Sequence, residues 1–215
     1  MIIKKANVLK KTRFRILRMI SKRLTPNFYT INLEKVLMQI IDDKVLPNSR
    51  PAINRIMKNY SLFHEKALNG VEIGVDSGIN SYNILNTLNM ERLYLIDIWE
   101  DYIEGDNSFN YTMSFETVKK RFESDIRVKI IRKSSHEAIE HFERGSLDFV
   151  YIDANHDYSH VYQDLSLWTP KIKDNGIVAG HDINMITVYT AVKQFCEENN
   201  FVMRILSPDW YFFKI

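Results

Sequence analysis

The chain has 215 residues, 45% hydrophobic and 26% charged, which is enough for one sizeable core plus an appendage and ordinary enough to be globular. One cysteine, Cys196, excludes an intrachain disulfide and fits a reducing cytoplasm. The net charge of +2 is uneven, because nine basic residues from Lys4 to Arg23 precede the first acid, Glu34, and leave a mildly acidic body without the basic, aromatic-laced stripe of a nucleic-acid binder.

In chain order, residues 1–65 read as a helical N-terminal extension or cap, with turns at "LTPN" and "LPNSRP". Leu9, Ile16, Leu17, Ile20 and Leu24 recur at helical spacing among the basic residues. Such a basic amphipathic helix suits an anionic membrane surface, through residues 1–24, or an acidic partner; it equally suits packing on the body or on a neighbouring subunit of a homo-oligomer. No run of about 18 apolar residues predicts a spanning helix, and no h-region with a cleavage site predicts secretion. The expected location is the cytoplasm, with peripheral attachment to a membrane as the variant that the arm suggests.

From residue 66 the chain becomes regular. Gly70–Val75, Arg92–Trp99, Val128–Lys133, Leu147–Asp153 and Gly176–Asp182 are short β-rich runs, apolar on successive residues as parallel strands covered on both faces should be. Helical stretches over Asn80–Asn89, Met113–Phe122, His136–Glu143 and Ser159–Trp168 separate them. This alternation predicts a doubly wound α/β sheet. A helix over Met185–Asn199 then leads to "FVMRIL" and "WYFFKI", a closing antiparallel hairpin. Cys196 falls within that helix, where a structural thiol is expected.

In such a sheet, ligands bind beyond the carboxyl ends of the strands. Glu72, Gly74 and Gly78 sit at or past the first tip, where glycines let the backbone turn sharply and approach a ligand; the spacing is not G-x-G-x-x-G, and no Walker lysine is present. Asp97 ends the second strand, where an acid can accept from ribose hydroxyls. Ser134 or Ser135 can cap the helix after the third. The fourth and fifth tips carry "DANHDYSH" and "GHDI". Asp153 and Asp182 should lie close together if their strands are neighbours. His64, His141 and His160 show no partners and read as structural or solvated.

"VEIGVDSGIN", "LIDIW", "SSHEA", "LDFVYIDANHDY" and "PKIKDNGIVAGHDI", in this order, resemble the successive motifs of the class I S-adenosylmethionine-dependent methyltransferases. The resemblance covers residues 66–215 and is nearest to the macrolide-sugar O-methyltransferases, with catechol O-methyltransferase further off. It implies a Rossmann-like, mostly parallel seven-stranded sheet and S-adenosyl-L-methionine as cofactor. By position, Glu72, Gly74 and Gly78 match the motif under the cofactor's methionine part, and Asn80 matches a contact to its carboxylate. Asp97 matches the ribose acid, Ile98 and Trp99 lie beside the adenine, and Ser135 and His136 flank its edge. Asp153, His181 and Asp182 match the ligands of a divalent cation, magnesium or manganese, and His156 matches the catalytic base.

Two departures matter. His181 stands where an oxygen ligand is usual, which weakens the case for magnesium and leaves open that it orients Asp182 or the acceptor instead. Asn175 replaces a glycine, at little cost because asparagine tolerates the left-handed conformation. The implied reaction is O-methylation of a small hydroxylated acceptor such as a sugar or glycoconjugate, with His156 as general base. The alternative is a cofactor-binding, non-catalytic or regulatory protein that assembles through its basic arm. The insertion Glu100–Phe115 carries Tyr102, Phe109, Tyr111 and Phe115, which could line an acceptor pocket or simply cover the sheet.

Overall fold

The structure, a computed structural model, describes Met57, Phe63 and residues 66–100, 102–104, 107–109 and 112–215. Apart from Met57 and Phe63, the predicted N-terminal extension lies outside the described residues, as do His64 and the side chains of Tyr102, Phe109 and Tyr111.

The elements are β1 (Leu68–Ile73), α1 (Ile79–Thr87), β2 (Met90–Asp97), β3 (Tyr102–Glu104), β4 (Asn107–Phe109), α2 (Thr112–Phe122), β5 (Val128–Arg132), α3 (Ser135–Ala138), β6 (Leu147–Ile152), α4 (Tyr158–Trp168), β7 (Ile172–Gly180), α5 (Ile186–Glu198), β8 (Arg204–Leu206) and β9 (Asp209–Phe213). Seven strands form one sheet in the order β5-β2-β1-β6-β7-β9-β8. The first five are parallel, and β9 closes the sheet antiparallel to both β7 and β8. This is the Rossmann-like doubly wound fold that the sequence predicts.

The apolar runs become the central strands because both faces are covered. Every residue of β6 is buried, and one hydrophobic cluster lies on each side of the sheet. Val150, Ile152, Trp168, Val188 and Trp210 belong to one; Leu95, Trp99, Phe149 and Tyr151 belong to the other, with Met57 and Phe63. The strand order reverses between β1 and β6, so the tips of β1, β2 and β5 lie on one side of the switch point and those of β6 and β7 on the other.

Three local details depart from the pattern. The helix after β5 is a single turn, Ser135–Ala138, continued by a 3-10 turn over Ile139–His141, because Phe142 turns extended and packs edge-on against Tyr94 and Trp168. The last hairpin starts only at Arg204, since Phe201 stacks on Phe212 at 4.9 Å instead of extending the strand. The insertion holds a small antiparallel pair, β3 with β4, that periodicity does not announce. Asn175 adopts φ 63, the left-handed turn expected of it. Among the described residues, no helix is long and apolar enough to cross a membrane.

Candidate active site

At the tip of β1 the chain takes the left-handed conformation three times, at Gly74 (φ 81), Asp76 (φ 48) and Gly78 (φ 74). A Cβ on Gly74 would lie 2.0 Å from the backbone oxygen of Asp153, so the β1 and β6 tips touch through this glycine. Gly74→Ala is expected to cost about 2 kcal/mol or more of folding stability, because neither the positive φ nor a backbone collision can be relieved by a side-chain shift. Urea denaturation measures it; a loss under about 0.5 kcal/mol would mean that the tip is not rigidly held.

Glu72, only 1% exposed, accepts a hydrogen bond from Asn80 Nδ2 at 2.8 Å and another from Ser81 Oγ. Burial raises its carboxyl from an ordinary 4.5 to about 8, against the two hydrogen bonds and with help from Asp153 and Asp97. The native state therefore holds a proton that the unfolded chain releases near its ordinary value. Stability should fall as pH rises from about 4.5 to about 8. Thermal melts across that window should show Glu72→Gln losing less stability than wild type; parallel curves would contradict it. Asn80 Oδ1 is buried without a hydrogen bond. With one amide N–H on Glu72, Asn80 presents a buried acceptor, which suits a ligand ammonium, beside the carboxylate contact that the resemblance implies.

Asp97 ties the β1 and β2 tips together. Its Oδ2 accepts from the backbone N–H groups of Val75 (2.8 Å) and Asp76 (3.0 Å), and its Oδ1 accepts from Trp99 N (2.9 Å). A carboxylate has about four lone-pair sites, which leaves room for about one ligand hydroxyl. Trp99 follows Ile98 just past the β2 tip. It is fully buried, with φ 45, its indole N–H donating to Asp76 O and its ring against Phe115. Phe115 also carries the Arg132 guanidinium at 4.6 Å, so it covers the sheet. Ile98 is half-buried next to it. After β5, Ser134 caps α3 in a capping box with Glu137, Ser135 Oγ donates to the buried Asp164, and His136 lies 3.3 Å from Gln163.

Across the switch point, Asp153, His156, His181 and Asp182 converge. Asp153 N donates to Ile73 O, and His181 N to Ile152 O, which pins both residues at adjacent tips. His156 Nε2 lies 3.0 Å from Asp182 Oδ2 and 3.9 Å from Asp153 Oδ1. His181 Nδ1 lies 3.1 Å from Asp182 Oδ2 and 3.8 Å from Asp153 Oδ1. The two carboxylates therefore face one shared space. Burial alone would raise the Asp182 carboxyl, but His156 and His181 outweigh it and hold it well below the usual range. Burial likewise opposes protonation of His181, yet the surrounding carboxylates raise its pKa.

The same groups suit a cation. One ligand atom from each of Asp153, His181 and Asp182 lies within 4.8 Å of the others. The side chain of His181 is 6% exposed, and neither ring nitrogen makes an aligned hydrogen bond although carboxylates flank both. Donors about 2.1 Å from a common ion stand about 3 Å apart or more, a spacing compatible with the 3.1 and 3.8 Å separations. One nitrogen and two carboxylates fit manganese, iron or zinc better than magnesium.

Sequence reasoning missed Ser81, Asp164, Tyr151 and Asp209. Asp209 lay between the two strands expected of the closing hairpin, and only the β7–β9 register, Gly180 opposite Trp210, carries it beside His181. His160 is half-exposed at the surface, 4.0 Å from Asp157. Cys196 is buried and its thiol is pushed up to about 12 by burial and by Glu197, as suits a structural thiol.

A family model described as a methyltransferase domain matches residues 71–183, more than half of the chain. An uncharacterized protein of Sinorhizobium fredii is 24% identical over 120 residues; the match covers 52% of this chain and only 13% of that protein's length. The O-methyltransferase NovP superposes with a TM-score of 0.58 at 15% identity, covering 76% of this chain and 78% of that one. A Streptococcus mutans protein solved in complex with SAH gives 0.56 at 13% identity, over 79% of this chain and all of that one. The N-methyltransferase NodS of Bradyrhizobium japonicum gives 0.51 at 11% identity, over 76% and 94%. At these identities the likeness is one of fold.

Proposed function

Since the chain belongs to the methyltransferase-domain family, we propose that it transfers the methyl group of S-adenosylmethionine to a hydroxyl of a small acceptor, such as a sugar or glycoconjugate, at the paired tips of β6 and β7. The observation that carries this reading is the joint approach of His156 and His181 to Asp182, with Asp153 beside them.

The cofactor brings an activated methyl, so the protein has to bind it, align the acceptor and hold a proton. On the β1–β2 side, the amides and turns around Gly74 and Gly78 underlie the methionine part. Asn80 Oδ1 takes its ammonium, and Asp97 takes one ribose hydroxyl. Ser135 and His136 border the adenine edge, with Ile98, while Trp99 holds the loop from behind. On the β6–β7 side, His156 accepts the acceptor's proton, and Asp182, 3.0 Å from its Nε2, stabilises the imidazolium that forms. Asp153, His181 and Asp182 would hold a divalent ion, which when bound supplies positive charge that eases ionisation of the hydroxyl.

The test is methyl transfer to a panel of hydroxylated acceptors, with magnesium, manganese or neither, and product analysis by mass spectrometry. Methyl ethers formed by wild type support the reading. Transfer to nitrogen alone, or to no acceptor class despite cofactor binding, overturns it.

A further inference from the structure

We propose that Asp209, held by Tyr151, is the positioning residue for His181, turning its Nδ1 toward Asp153 and Asp182 and so setting the site for a nitrogen-accepting divalent ion in preference to magnesium. This rests on reading Asp153, His181 and Asp182 as metal donors.

Asp209 opens β9 and is 2% exposed. Its Oδ1 accepts from the Tyr151 hydroxyl at 3.1 Å and lies 3.7 Å from His181 Nε2. Tyr151 comes from the buried strand β6, where burial and the neighbouring carboxylates hold its phenol well above the ordinary range, so it remains a donor. The Trp210 indole donates to His181 O at 3.0 Å, and Ile183 N donates to Pro208 O, so the segments carrying Asp209 and His181 are fastened together on both sides.

The chemistry follows from the ring. His181 has carboxylates on both sides, at Nδ1 and at Nε2. A neutral imidazole carries one N–H and one lone pair, so one of its nitrogens must turn a lone pair on a carboxylate. With the N–H at Nε2 facing Asp209, the Nδ1 lone pair points toward Asp182 and Asp153. That arrangement is repulsive when empty and becomes ligation when a cation stands between them. A carboxylate–histidine–metal chain, which forms once the cation draws the ring in and Nε2 closes its 3.7 Å gap to Asp209 to hydrogen-bond length, fixes the tautomer and raises the basicity of the ligand. An imidazole donor then favours ions such as manganese or zinc over magnesium, which prefers oxygen. The competing state is a doubly protonated ring that merely bridges carboxylates.

The experiment titrates Mn²⁺, and separately Mg²⁺, into the full chain and its Asp209→Asn, Tyr151→Phe, His181→Ala and His156→Ala variants. Affinity is read from the free-Mn²⁺ resonance, nitrogen ligation from ¹⁴N modulation of the spin echo, and folding from thermal melts. Wild type should bind Mn²⁺ at least about tenfold more tightly than Mg²⁺, with a ¹⁴N signal that His181→Ala removes and His156→Ala leaves. Asp209→Asn should weaken Mn²⁺ about 10- to 100-fold, and Tyr151→Phe should weaken it in the same direction by less. Tyr151→Phe removes one hydroxyl only and keeps the test valid if Asp209→Asn does not fold. Mn²⁺ binding with a ¹⁴N signal that neither variant alters overturns the role of Asp209 alone. Binding without ¹⁴N modulation overturns the nitrogen donor, and no divalent binding by folded wild type overturns the inference and the metal reading together.

Discussion

Asp97→Ala is expected to lower affinity for S-adenosylmethionine at least about 100-fold, some 2.7 kcal/mol, and to destabilise the fold by about 2–3 kcal/mol. Both losses have one origin. The carboxylate takes the N–H groups of Val75, Asp76 and Trp99, and thereby fixes the β1 and β2 tips against each other. Its removal strands three amides and frees the loop that should lie under the ribose. Asp97→Asn is not a gentle substitute, since its NH2 would face one of those N–H groups whichever way the amide is turned. Calorimetric titration and denaturant melts separate the two effects. Wild-type affinity in a variant with the expected loss of stability would assign Asp97 to structure alone.

His156→Ala should have the opposite profile. Removing a positioned general base lowers turnover by about 10²–10⁴-fold. Cofactor affinity should change by less than about twofold, because His156 approaches Asp182 and Asp153 across the switch point from the Gly74–Gly78 turns. Turnover at the wild-type rate would remove His156 from the reaction. Loss of cofactor binding would move it to the other half of the site.

How legible this was depended on how local each signal is. The five parallel strands could be read because burial on both faces writes them as continuous apolar runs, as in Leu147–Ile152. The meeting of Asp153 and Asp182 followed from placing their strands side by side, which β6 and β7 are, whereas His156 and His181 were singled out by the family resemblance. Trp99 was legible in position but not in burial. Its place after Asp97 suggested an adenine neighbour, whereas its size and its indole N–H to Asp76 O draw it fully into the core. Asp209 was invisible for a different reason. Its meeting with His181 depends on the antiparallel register of β9 on β7, which no short window of sequence encodes. The shortened α3 likewise reflects a tertiary demand, the packing of Phe142 between Tyr94 and Trp168.

In the proposed reaction the tips of β1, β2 and β5 hold the cofactor, and those of β6 and β7 handle the proton. The most direct test is titration of S-adenosylmethionine into wild type, Asp97→Ala and His156→Ala under one set of conditions. One-to-one binding by wild type, retained in His156→Ala and lost in Asp97→Ala, is the predicted result. No binding by folded wild type, or equal loss in both variants, would contradict it.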